Sequence, residues 1–339
     1  MPSDPVPAPR PQVVAVTGGS AGLGRAIVEA FAREGAHIGI MARDPERLAA
    51  TAAEVERLGG RALTIPLDVS DADAVDRAAD RIERELGPID IWVNNAMTSV
   101  FSPVTEMRPE EFRRVMEVTY LGFVYGSLAA LRRMIPRDRG VIIQVGSALA
   151  HVSIPLQSAY CAAKHAMMGF TVSLRTELLH DRSNVRVTMV QMPAMNTPQF
   201  DWVKSRLPGK PQPVPPIFQP EVGARAVMYA ARHDVGREIL VGWPTLKAVL
   251  GRKFVPSYVD HRVAREGYDS QQTGEPEPAA RPDNLWQPVP GSFGAHGRFD
   301  TVARERSTEF WLRINRRRIL TLLLLAGIAA IAVAAMFAR

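Results

Sequence analysis

A chain of 339 residues, 46% hydrophobic and 22% charged, can bury one α/β unit of roughly 240 residues and still leave a long remainder. Its formal net charge of +6 brings one basic cluster, Arg316-Arg317-Arg318, and no basic surface interleaved with aromatics, so nucleic acid is not an expected partner. A single cysteine, Cys161, excludes an internal disulfide, and seven histidines without ligand spacing give no reason to expect a metal.

Residues 1–12 are proline-rich with no apolar run, which predicts a disordered arm rather than a signal peptide. A strand is expected over 13–17, followed by the turn Thr17-Gly18-Gly19-Ser20-Ala21-Gly22-Leu23-Gly24. A helix follows, with Ile27, Phe31 and Ala32 at core spacing and Gly35 as its stop. Strand, glycine turn and helix in that order suit a nucleotide phosphate: glycine lets the backbone approach, and the free helix N–H groups face the anion. Many βα turns carry glycines for geometry alone. Further strands are expected near 37–41, 62–66, 89–93, 140–146, 185–191 and 238–241, with helical patterns between them. That alternation predicts a doubly wound α/β fold around a parallel sheet.

Two of these strands end in polar groups, Asp90-Ile91-Trp92-Val93-Asn94-Asn95-Ala96 and Val141-Ile142-Ile143-Gln144-Val145-Gly146-Ser147. Ligands bind at the carboxyl ends of open α/β sheets, although Asn-Asn and Gly-Ser are also ordinary turn residues. Thirteen residues past Ser147 stands Tyr160, and four residues later Lys164, the first lysine of a chain in which only 5 of the 41 cationic residues are lysine. The surrounding alanines favour helix, and i,i+4 spacing puts phenol and ammonium on one face. A nearby ammonium favours phenolate and lowers a tyrosine pKa from about 10 toward the range of a general acid/base. The competing reading of the pair alone is a half-buried tyrosine beside a solvated lysine. Cys161 is expected in the core, and His151 is placed where it can line a pocket.

With these motifs in order, residues 12–245 resemble the short-chain dehydrogenase/reductase family. The matching positions are Thr17, Gly18, Gly22 and Gly24, Asp68 after the third strand, Asn94-Asn95-Ala96, Ser147, Tyr160 and Lys164. The resemblance implies a Rossmann-like sheet of seven parallel strands and NAD(P)-dependent hydride transfer between nicotinamide and a carbonyl or alcohol. It implies that Tyr160 exchanges the proton on the substrate oxygen and that Ser147 hydrogen-bonds the carbonyl. Lys164 would lower the tyrosine pKa and bind the nicotinamide ribose. Asp68 and Val69 would meet the adenine, and Asn94 would support sheet and nucleotide. Ser20, Leu23, Ala96 and Pro193 complete the expected cofactor-binding set. The family's usual homodimer, through helices around 110–134 and 157–180, is expected on the same ground.

Three positions depart from the family pattern. Thr119 stands where an asparagine normally holds a relay water, Met97 replaces the glycine closing the Asn-Asn-Ala-Gly turn, and Ala194 replaces the glycine after Pro193. These changes either reshape the pocket for a particular substrate or mark weak turnover. The complete Ser-Tyr-Lys set favours the first; the rival is a cofactor-binding regulatory or scaffold protein. At the cofactor's other end, the second strand closes Ile40-Met41-Ala42-Arg43-Asp44. Ala42 takes the place where NAD-specific members of this fold carry an acid for the ribose hydroxyls, and Arg43 can pair with a 2′-phosphate. NADP(H) is therefore favoured over NAD(H), unless a register slip of two makes Asp44 the ribose ligand.

The remainder of the chain bears on substrate and location. Residues 193–220, with seven prolines over 196–220, read as the lid over the substrate. Leu149, Ile154, Pro155 and Leu156 with Met192, Met195, Phe200 and Trp202 are the expected wall, which suits a lipophilic substrate. Residues 250–315 read as a Pro/Gly-rich linker, partly laid on the domain through Trp286, Phe293 and Phe299. A short helix over 301–315 would bring Phe310 and Trp311 to an interface. From 319 to 337 the chain carries no charge. A helix of that length spans about 28 Å, which predicts a single-pass membrane anchor. The arginine triplet before it would keep the catalytic domain on the cytoplasmic face.

Overall fold

The computed structural model describes residues 10–278 and 280–337, with side chains as far as 325 apart from 317, 322 and 323. At its centre lie β1 (Val13–Thr17), β2 (His37–Ala42), β3 (Arg61–Pro66), β4 (Ile91–Asn94), β5 (Val141–Ser147), β6 (Arg186–Met192) and β7 (Glu238–Leu240). They form one parallel sheet in the order β7-β6-β5-β4-β1-β2-β3. Successive side chains of a strand face opposite ways, and both faces here are covered. Val14, Val16, Ile38 and Ile40 pack on one face, with α1 (Gly22–Ala32) and α2 (Pro45–Arg57). Val13, Ala15, Met41 and Trp92 pack on the other, with α3 (Ala72–Leu86). Burial on both sides is why these strands are nearly continuous apolar runs.

The sheet places the site. β1 pairs with β2 on one side and with β4 on the other, so the winding reverses between β1 and β4. A crevice opens there at the carboxyl ends of the strands. The glycine turn after β1, Asn95 after β4 and Ser147 at the end of β5 all arrive at that edge. Their neighbours are α4 (Pro109–Met116), the π-helical turn Glu117–Leu121, α5 (Gly122–Met134) and α6 (Ser158–His180).

The expected linker over 250–315 is corrected, because much of it is folded onto the body. After α7 (Pro220–Arg232) come α8 (Gly242–Phe254) and α9 (Pro256–Glu266), and Gln272–Pro276 then pairs antiparallel with Gly209–Pro211 of the lid. Leu285, Val289, Phe299 and Phe310 are buried. Phe310, expected at an interface, instead meets Tyr229 edge-on at 6.1 Å, while Trp311 stays exposed. Proline and glycine remove helical and strand periodicity without preventing an irregular segment from bonding to the body through its own carbonyls.

At the chain ends, residues 1–9 of the expected arm lie outside the described residues. Arg10 is docked, its two terminal nitrogens bonding the Asp90 carboxylate at 2.9 and 2.7 Å. The two helices expected over 301–315 and 319–337 form one, α10 (Thr308–Phe337), unbroken at the arginine triplet. Among the described residues no helix is long and apolar enough to cross a membrane. Most of 319–337, on which the anchor expectation falls, lies outside the residues with described side chains.

Candidate active site

The glycine turn is held from beneath. Thr17 Oγ1 accepts from the backbone N–H groups of Asn95 at 2.9 Å and Ala96 at 3.2 Å, tying β1 to β4. The Asn95 amide donates to the carbonyls of Thr17 and Gly18, both at 3.1 Å. Gly18 sits at φ +66, where a Cβ would lie 2.8 Å from the Ala96 Cα. A Cβ on Gly24 would run into the Gly18 carbonyl oxygen. Only glycine lets the turn lie this flat, which leaves a cradle that fits a diphosphate. Gly18, Ser20, Gly22, Leu23, Gly24 and Ala96 line a cavity of about 460 Å³ along the sheet's carboxyl edge.

Ala42, Arg43, Asp44, Arg47, Asp68 and Val69 line one end of this cavity. Asp44 is committed to capping α2: its carboxylate accepts from Arg47 N at 3.0 Å and pairs with the Arg47 guanidinium at 2.9 Å. The Arg43 guanidinium donates to the carbonyls of Asn284 at 2.6 Å and Trp286 at 3.1 Å. Asp68 reaches the cavity with its oxygens engaged by Arg114 and by the Ser70 amide and hydroxyl. Burial pushes its carboxyl up, but Arg114 and Ser70 overcome that and hold it below the usual carboxylate range.

At the other end, Ser147, Tyr160 and Lys164 converge on the cavity. The Ser147 hydroxyl accepts from Leu149 N at 3.1 Å and lies close enough to the Tyr160 phenol to favour its ionised form. Lys164 is 2% exposed and donates to the Val145 carbonyl at 2.8 Å. Its nitrogen lies 4.6 Å from the Phe123 ring centroid and 5.5 Å from that of Tyr160. The expectation that the ammonium lowers the phenol is corrected. Burial pushes Tyr160 up against the opposing influence of the Ser147 hydroxyl, and burial brings Lys164 down to about 7. Both shifts have one cause, since burial disfavours the charged form of each group.

Three expected site residues do not line the cavity. Thr17 supports the turn, as described. Asn94 is fully buried, donates to Phe123, Ser127 and Gln144, and accepts from the Trp92 indole. Thr119, in the π-helical turn, gives its proton to the Thr98 carbonyl at 2.8 Å and accepts from Thr98 N at 3.0 Å. Its hydroxyl therefore closes a backbone tie, so this departure from the family's asparagine does not put a polar group into the cavity. Pro193, by contrast, lines the cavity.

Of the expected wall, Leu149, Ile154, Met192, Met195, Phe200 and Trp202 line the cavity, whereas Pro155 and Leu156 do not. His151 also stands outside it. Its ring bonds Glu238 at 3.0 Å, Gln191 donates to the same carboxylate at 2.9 Å, and the Gln191 side-chain oxygen accepts from Ser147 N at 2.8 Å. This layer fixes Ser147 from behind. Burial opposes charge on Glu238, but the bonds from His151 and Gln191 bring its carboxyl down to about 2. Sequence reasoning singled out only His151 of this layer and missed Arg47, Gln157, Asn284 and Pro288, which come together through folding; Asn95 stood within a motif without a role of its own.

The comparisons agree with this geometry. A model of the family described as short chain dehydrogenase matches residues 12–206. The uncharacterized oxidoreductase YxnA of Bacillus subtilis is 30% identical over 326 residues, covering 95% of this chain and 90% of that protein. A fatty acyl-CoA reductase of Acinetobacter baylyi is 33% identical over 221 residues, covering 65% and 72%. Among solved structures, an alcohol dehydrogenase from the archaeon Thermococcus sibiricus, complexed with 5-hydroxy-NADP, superposes with TM-score 0.59 at 26% identity, covering 68% of this chain and 95% of that one. A short-chain dehydrogenase from Streptomyces avermitilis gives TM-score 0.64 at 25% identity over 78% and 98%. A glycine cradle and a Ser-Tyr-Lys constellation at the carboxyl edge of such a sheet, in a chain with these relatives, make this protein an NAD(P)-dependent oxidoreductase of the short-chain dehydrogenase family.

Proposed function

We propose that this oxidoreductase favours NADP(H) over NAD(H), acts on a lipophilic carbonyl or alcohol, and is held to a membrane by its C-terminal helix with the catalytic domain on the cytoplasmic face. The observation that carries the substrate class is the apolar wall of Leu149, Ile154, Met192, Met195, Phe200 and Trp202 in the cavity that holds Ser147 and Tyr160. The similarity to a protein named a fatty acyl-CoA reductase points the same way.

The preference for NADP(H) is supported at the end of β2. Ala42 offers no carboxylate, Asp44 is engaged in its cap, and Arg43 and Arg47 both line the cavity. Two guanidiniums suit a dianionic 2′-phosphate, which makes charge-assisted bonds with them. The membrane reading is supported by the start of the apolar stretch, where Leu320, Leu324 and Leu325 are 63%, 65% and 57% exposed rather than packed on the body. A homodimer through α4, α5 and α6 would cover exposed Phe112, Leu128 and Leu179.

A dinucleotide whose diphosphate sat in the glycine cradle would supply or accept the hydride through its nicotinamide at the Ser147-Tyr160-Lys164 end of the cavity. Ser147 and Tyr160 line the same cavity, where their hydroxyls would meet one substrate oxygen. In reduction Tyr160 gives that oxygen its proton; in oxidation it takes one. A phenol pushed up by burial is fully protonated at neutral pH, which suits the donor role. The Gln191 side-chain oxygen holds the Ser147 backbone N–H at 2.8 Å and so keeps that residue in place beside Tyr160. NADPH consumption against long-chain aldehydes, ketones and quinones tests the reading, with short polar analogues as controls. A preference for the polar analogues removes the lipophilic assignment. Carbonate and high-salt washing of membranes from expressing cells tests the anchor, and release of the full-length chain would refute it.

A further inference from the structure

Residues 283–294 lie far downstream of the glycine turn, yet they span the rim of the cofactor cleft. Asn284 and Leu285 offer their carbonyls to Arg43 at 2.6 Å and to Arg114 Nε at 3.0 Å, and Trp286 offers its own to Arg43 at 3.1 Å. At the far end the Gly294 carbonyl takes the N–H of Gly22, the first residue of α1, at 2.9 Å. Asn284 N donates to the Trp202 carbonyl at 2.9 Å. Two side chains fasten the segment: Leu285 is 0% exposed among Val100, Val115 and Ala159, against Tyr160, and Phe293 meets Trp202 edge-on at 4.6 Å. Three of the anchors, Arg43, Gly22 and Trp202, themselves line the cavity, and from the segment Asn284 and Pro288 do so too, while about 460 Å³ stays open beneath it. A plug would fill that volume, whereas a wall leaves it.

We propose that residues 283–294 form a strap that closes the outer side of the dinucleotide site and governs how fast NADP(H) exchanges. The proposal rests on the reading of the cleft as an NADP(H) site. Arg43 couples the two, because the guanidinium placed to meet a 2′-phosphate also holds two strap carbonyls. Carbonyls are suitable partners for this purpose: they fix a cation that never loses its proton without neutralising the charge it turns to the phosphate. The cofactor then leaves only when the strap lifts.

The test is stopped-flow release of NADPH, followed by its fluorescence after mixing the loaded full-length protein with excess NADP⁺. Phe293→Ala and Leu285→Ala both loosen the strap at side chains that do not line the cavity. Each should speed association and release at least tenfold while the dissociation constant moves less than either rate. Hydrogen exchange of peptides covering 283–294 should slow when NADPH binds, a response that a merely structural segment would not give. Should Leu285→Ala fail to fold, Phe293→Ala carries the test alone. Wild-type release rates in a folded Phe293→Ala, with strap exchange indifferent to NADPH, overturn the proposal. Tighter NADPH binding through faster association alone also overturns it, by making the segment a competitor. No dinucleotide binding by the wild type would remove the NADP(H) reading itself, and the strap with it.

Discussion

Replacing Lys164 with methionine removes the most strongly perturbed cation of the site. The wild-type ammonium is 2% exposed, and burial lowers its pKa from 10.5 to about 7. The unfolded chain keeps that proton up to about pH 10.5, the folded one only to about 7. Below pH 7 both states are protonated and the full cost of burying the charge is present. Between those values the unfolded state binds one proton more, so stability rises with pH, by about 1.4 kcal/mol per unit at full slope. Lys164→Met has no such proton. The gap between the two proteins should therefore shift toward the wild type by about 2 kcal/mol from pH 7.5 to 9, an order-of-magnitude figure equal to about 4–8 °C in relative Tm. At pH 6 the variant should be at least as stable, although it gives up the bond to Val145. Calorimetry of the cofactor-free protein in detergent over this range measures both. Parallel pH curves for the two proteins would show that the folded lysine stays charged throughout, and the electrostatic account of the site would fail.

Tyr160→Phe keeps the ring but removes the transferable proton, and turnover should fall by about 10²–10⁴ with NADPH affinity nearly unchanged. Comparing kcat with a direct binding titration checks this, and near-wild-type turnover would rule the tyrosine out as acid. Arg43→Ala should cost NADPH about ten- to a hundredfold in affinity, the range for a lost charge-assisted contact, and leave NADH little affected. Equal losses for the two cofactors in parallel titrations would mean that Arg43 does not read the 2′-phosphate. Gly24→Ala drives a methyl toward the Gly18 carbonyl and the Asn95 amide, so dinucleotide binding should be lost before the fold is. Calorimetric titration with NADPH, beside a melting curve, separates the two; wild-type affinity would show that the turn yields.

The sequence alone was enough for features whose signal is local. Each strand of the sheet is announced by an apolar run, and α1 by its periodicity after the glycine turn. Tyr160 and Lys164 were legible because i,i+4 spacing on one helix sets their relative placement, and Ser147 because its strand end resembles the family's motif. Where two neighbours carried the same chemistry, tertiary structure had to choose. Asn94 turns into the core and Asn95 faces the glycine turn, because successive residues at a strand end point to opposite sides. Thr119 was legible as a departure, but that its hydroxyl is used up on Thr98 depends on a contact 21 residues away. The downstream segment was the least legible. Arg43 and Asn284 are 241 residues apart, and their bond runs from a guanidinium to a backbone carbonyl, which every residue possesses. A carbonyl leaves no mark on the sequence, and proline and glycine erase the periodicity that betrays a packed element, so only the folded chain brings that wall to the site.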